Sequence, residues 1–226
     1  MKYLLILSIL LSFAGCSSIQ TVPEEPFSVD LEAPNISVGI VEAYFERFMS
    51  IGGLANRDIT VDYYPDEDAV CLQFRVDFMT YYQFWTRDNR EYFLAALEQY
   101  KEDFTQRNLN TRGSKRTKRQ YGVIPGFLIW QSTRFTLRSS GYPDIEIGYF
   151  LRSISGNRVS FFTLNQREAE YQDVTTGSER VRSPEILIYF SRSQADELAA
   201  MFDQQLLDSL LTGRIRPASD AELDSY

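Results

Sequence analysis

Side chains able to do catalysis are scarce in this chain. Its 226 residues include no histidine and two cysteines, Cys16 and Cys71. Without imidazole there is no Ser-His-Asp or Cys-His nucleophile system, no imidazole general base and no His-based zinc or haem ligand set. The sequence also lacks a phosphate-cradling Gly-rich loop, a Gly-x-Ser-x-Gly elbow and a Cys-x-x-Cys pair. The expectation is a protein that is not an enzyme and takes no metal or cofactor.

Four groups of residues remain as candidates. Five basic residues, Arg112, Lys115, Arg116, Lys118 and Arg119, fall within eight positions of an otherwise acidic chain. Such a cluster suits an anion or an acidic partner, or serves as a solubilising connection. Tyr81, Tyr82 and Trp85 are dense enough to stack on sugar rings, although aromatics on strands more often fill a core. The carboxylate pairs Asp144 with Glu146 and Glu168 with Glu170 have the same-face spacing that acid/base hydrolysis of a glycan uses, and a solvated face explains them equally well. Asp62, Asp66 and Asp68 surround a turn that lacks the glycine and terminal glutamate of a calcium loop. Cys71, with Arg75 four positions on and on the same face by alternation, is expected to be a small half-buried hydrophobe rather than a nucleophile.

The N-terminus carries a different kind of chemistry. Met1-Lys2 is followed by an apolar run from Tyr3 to Leu11 and the small-residue stretch Ser12-Phe13-Ala14-Gly15-Cys16. This is the pattern of an export signal, too short to stay in a bilayer as a spanning helix. Phe13-Ala14-Gly15-Cys16 resembles the lipobox of bacterial lipoproteins. The resemblance implies lipidation of Cys16, cleavage before it, and, because Ser17 rather than Asp follows, the outer rather than the inner membrane. Several acyl chains make such an anchor stable.

Loss of residues 1–15 removes Lys2 and no acid, taking the net charge from −8 to −9. A field of that sign does not favour nucleic acid. Residues 16–36, with Pro23, Pro26 and Pro34 and no evident apolar period, read as a tether with an r.m.s. reach of roughly 25 Å.

The remaining pattern predicts one α+β domain over 37–213 and a polar tail over 214–226. Val38, Val41, Phe45 and Phe48 recur at helical spacing up to Gly52-Gly53, a second helix runs from Asp88 to about Arg107, and a third from about Gln194 to Gly213. Alternation predicts a hairpin over residues 59–78 about the turn Pro65–Asp68. Further strands are expected over Gly122–Arg138, Asp144–Ile154, Arg158–Arg167, Glu170–Val174 and Arg180–Phe190. The expected architecture is a mostly antiparallel, curved sheet of about six to eight strands with three helices packed on one face. The functional expectation is an envelope lipoprotein whose domain binds a protein or glycan. The alternatives are a carrier of an apolar ligand and a carboxylate-based glycan hydrolase.

Overall fold

The computed structural model describes residues 27–46, 53–109, 118–132, 138–154, 157–168, 183 and 185–213. Among the described residues ten strands are present: β1 (Ile36–Glu46), β2 (Leu54–Tyr64), β3 (Ala69–Val76), β4 (Met79–Trp85), β5 (Lys118–Pro125), β6 (Phe127–Ser132), β7 (Arg138–Gly141), β8 (Asp144–Ile154), β9 (Asn157–Gln166) and β10 (Ile186–Phe190). The helices are α1 (Arg87–Thr105), α2 (Arg192–Phe202) and α3 (Gln204–Leu211). No helix among the described residues is long and apolar enough to cross a membrane.

All strands join one antiparallel sheet in the order β5-β8-β9-β10-β1-β2-β3-β4-β6-β7. Gly126 alone separates β5 from β6, and Tyr142-Pro143 alone separates β7 from β8. The outermost strands at the two ends of the sheet therefore belong to one long hairpin. Its pairing crosses the break in register: Pro125 pairs with Asp144, the Gly126 N–H donates to the Pro143 carbonyl at 2.8 Å, and Leu128 pairs with Gly141. The result is a curled half-barrel. This corrects the expected α+β fold, a curved sheet of about six to eight strands with three helices packed on one face: the described residues form a ten-strand curled sheet that dominates, and the three helices are short.

The correction begins at the first element. The segment from Ser37, expected as a helix, is β1, in which Val41, Ala43 and Phe45 face the core while Glu42 and Glu46 face outward. A bulge between Ser37 and Gly39 shifts the side-chain parity by one. That places Val38 and Val41, three residues apart, against the same core and imitates a helical period. The second expected helix is α1, capped by Thr86 rather than Asp88. The third is broken at Asp203, which ends α2 with an extended backbone and caps α3 through its side chain. Glu170–Val174 lies outside the described residues.

Inside the curl, α1 contributes Phe93, Ala96, Leu97 and Tyr100, and α2 adds Ala195, Leu198 and Phe202, against the inward side chains of the strands. One polar chain crosses this interior. Trp85 Nε1 donates to Gln83 Oε1 at 3.0 Å, and Gln83 Nε2 donates to Gln166 Oε1 at 3.0 Å, which ties β4 to β9 from opposite halves of the sheet. Strand β5 has only β8 as a strand neighbour, and α1 adds two hydrogen bonds to its carbonyls, from Asn89 Nδ2 to Pro125 at 2.8 Å and from the Tyr92 hydroxyl to Tyr121 at 3.2 Å. Tyr92 lies so close over Gly122 that a Cβ there would collide with its hydroxyl.

A second, smaller core lies on the outer face, where Tyr64, Ala69, Cys71, Phe84, Phe127 and Ile129 are buried beneath Phe27, Val29, Leu31 and Ala33. The chain from Phe27, expected as tether, is thus laid against the sheet.

Candidate functional site

Arg112, Lys115 and Arg116 lie outside the described residues. Lys118 and Arg119 open β5, where the register sets them opposite Phe150 and Tyr149 of β8. The basic segment therefore enters the sheet beside the far end of β8. Alternation along β8 sends Ile145, Ile147 and Tyr149 into the core and leaves Phe150 and Arg152 on the outer face.

Arg152 is held there by aromatic and ionic contacts. Its guanidinium sits 5.2 Å from the Tyr189 ring centroid, and Nη2 is 3.4 Å from Glu46 Oε1. The Tyr189 hydroxyl donates to Glu46 Oε2 at 3.4 Å. Phe150 and Phe161 meet the Tyr189 ring edge-on at 5.9 and 5.8 Å, and Tyr44 meets Phe161 at 5.8 Å. Burial, reinforced by Glu46, pushes the Tyr189 phenol up to about 12, so at neutral pH it is a donor and not a base. Arg152 Nη1 is buried and meets no acceptor among the described residues. A guanidinium flanked by aromatic faces is suited to binding carboxylate, phosphate or hydroxyl oxygens. Arg152, Glu46, Tyr189 and Tyr44 escape a reading of the sequence because they come from three strands that only the sheet brings together. The one local signal was the alternation that puts Phe150 and Arg152 on the polar face of β8.

The expected stacking platform does not assemble as an open surface. Trp85 and Tyr81 are buried in the main core, with Trp85 packed on Phe93 and Phe202 and Tyr81 stacked on Phe74 at 5.4 Å. Tyr82 points the other way, into the outer cluster, so the three do not share a face.

Glu146 and Asp68 are engaged as well. Glu146 receives Arg167 Nε and Nη2 at 2.8 and 2.7 Å and Asn165 Nδ2 at 3.2 Å, while Asp144 contributes its backbone carbonyl to the Arg167 N–H. Glu170 lies outside the described residues. Asp68 accepts from Arg87 Nε at 2.7 Å, Arg90 Nη2 at 3.0 Å and Tyr63 at 3.1 Å. Burial alone would raise its pKa, but the bonds from Arg90 and Arg87 outweigh burial and hold the carboxyl below its usual range. Asp62 is shifted upward by burial. No group of three or more metal-ligating side chains occurs among the described residues. Cys71 is buried at 1% exposure, and burial raises its thiol well above the ordinary range, which makes it a poor nucleophile. Cys16 lies outside the described residues.

No curated protein and no solved structure matches this chain. A family model described as "Uncharacterised Treponema protein" matches residues 33–209, from the end of the outer-face segment to α3, and the chain belongs to that family.

Proposed function

We propose that this protein is a lipid-anchored bacterial envelope component that works by binding, without catalysis, a protein or glycan bearing anionic groups. Cys16 carries the lipid, the outer membrane is the destination, and nucleic acid is not a partner. The partner is met at the end of the half-barrel where the basic segment enters. The observation that carries this reading is the β5–β8 register, which brings the run ending in Lys118 and Arg119 alongside Phe150 and the Arg152–Tyr189–Glu46 cluster. The engaged carboxylates and the buried Cys71 favour binding over hydrolysis. The α1 and α2 side chains that occupy the interior weigh against an apolar-ligand carrier.

The test is cross-linking in intact cells, comparing the wild type with a variant in which Lys115, Arg116, Lys118, Arg119 and Arg152 are each replaced by Gln. The binding reading expects a discrete cross-linked species that the variant loses while remaining folded and membrane-bound. Equal capture by both would dismiss this end of the sheet as the site.

A further inference from the structure

Phe27, Val29, Leu31 and Ala33 face the sheet while Ser28, Asp30, Glu32 and Pro34 are exposed, through a turn at Asp30–Ala33 in which the Ala33 N–H donates to the Asp30 carbonyl at 3.0 Å. The strip is anchored at its outer end, where the Phe27 ring lies 5.6 Å from Phe127 and 6.4 Å from Phe84, and the Tyr142 hydroxyl donates to the Phe27 carbonyl at 2.9 Å. At the inner end Asn35 Nδ2 donates to the Tyr64 hydroxyl at 3.3 Å, and Glu32 lies 3.8 Å from Arg138. Unlike the strands, it forms no ladder with the sheet. Its four apolar side chains are only partly buried, whereas the six beneath them are each at most 8% exposed. A segment held by side-chain contacts without ladder bonds belongs to the low-stability end of a fold and opens before the body does.

We propose that residues 27–35 are a releasable strap that sets the reach of the membrane attachment. The membrane half of this inference rests on lipidation at Cys16. With the strap docked, only the ten residues 17–26 separate Cys16 from the body, and at about 3.5 Å per residue they span no more than about 35 Å. With it released, the nineteen residues 17–35 span up to about 65 Å. Release also uncovers an aromatic patch containing Cys71, the one thiol of the body, so opening has a built-in reporter.

The experiment uses the full lipidated chain reconstituted in phosphatidylethanolamine/phosphatidylglycerol vesicles. The rate of Cys71 modification by a small thiol reagent is followed in low urea. In the wild type it should be slow and nearly independent of urea, as expected for opening that exposes little surface. Phe27→Ala should speed it about tenfold, the effect of losing a half-buried ring, and Phe27→Leu should restore most of the protection. An unchanged rate in Phe27→Ala, or modification that tracks global unfolding in both proteins, overturns the strap. Reach is read separately, by energy transfer from a donor at Glu91→Cys, in a Cys71→Ala background, to acceptor lipids. Phe27→Ala/Leu31→Ala should lower the transfer, and equal transfer overturns the reach inference. Flotation with the vesicles reports the anchor. A chain that does not float overturns the anchored reading, and the reach with it, while the thiol rates still decide whether the strap opens.

Discussion

Gln83 is the residue whose replacement tests most directly how the half-barrel is held closed. It is fully buried, and its amide both accepts from Trp85 Nε1 and donates to Gln166 Oε1. In Gln83→Leu, a near-isosteric change, the Trp85 N–H loses its acceptor and the Gln166 carbonyl loses this donor. Each such loss in a buried setting costs about 1–3 kcal/mol, partly offset by the added apolar burial, so the expected loss is about 3 kcal/mol. For a domain of this size that lowers the Tm by roughly 6–12 °C. Gln166→Leu deprives the Gln83 amide of its acceptor, and that loss alone should cost about 2 kcal/mol. In the double variant neither end of the Gln83–Gln166 bond is left orphaned, so its cost should fall about 2–3 kcal/mol short of the sum of the single variants. Urea unfolding of the four proteins measures the cycle. Additive costs would show that the two glutamines are not coupled and that the polar chain does not bridge the halves of the sheet.

Asp68 supplies a pH signature. Its folded pKa lies below the unfolded value, so its contribution is fully present above about pH 4 and is lost as the pH falls through the folded pKa. Asp68→Asn should be less stable at neutral pH and show a flatter stability curve below pH 4. Thermal melts across pH 2–7 decide, and parallel curves would refute the assignment. Gly122→Ala should destabilise by about 1–3 kcal/mol, because the new methyl drives Tyr92 off the β5 carbonyl. Combined with Tyr92→Ala, the same change should cost much less than it does alone, and denaturant titrations that show full additivity would contradict the close approach.

Local pattern revealed elements, and non-local pairing decided what they became. Val70, Leu72 and Phe74 alternate clearly and form β3, and Ile145, Ile147 and Tyr149 do the same in β8. The turn between β3 and β4 was hidden because Asp77 adopts a left-handed φ of 53° without the Asn-Gly or Asp-Gly signature that usually marks such a turn. One expected strand therefore ran through Phe78, and β4 went uncounted. Gly126 broke another expected strand into β5 and β6, because the chain at that point passes from one end of the sheet to the other. Residues 16–36 show no consistent apolar period and carry three prolines, which reads as a tether; Phe27, Val29, Leu31 and Ala33 face the sheet only because a turn at Asp30–Ala33 orients them. The Arg152 cluster was illegible for a stronger reason: it exists only once β1, β8 and β10 are in register.

The long hairpin relates the two ends of the molecule. Phe127 and Tyr142 lie under the strap, while Lys118 and Arg152 lie nine to ten residues away along the same two strands, which at about 3.3 Å per residue is about 30 Å. An anchored chain that leaves the body at the strap end can hold that end toward the bilayer. With the proposed cleavage before Cys16 the net charge would be −9, which would keep most of the surface from anionic head groups, but a basic run close to the bilayer would be drawn onto them. At physiological ionic strength the Debye length is about 8 Å, so a separation of about 30 Å would take the start of β5, where the run ends, beyond their attraction. On the proposed anchoring and binding, the docked strap would leave the basic end free for a partner, and its release, by giving the body room to turn, would bring membrane and partner into competition for the same charges.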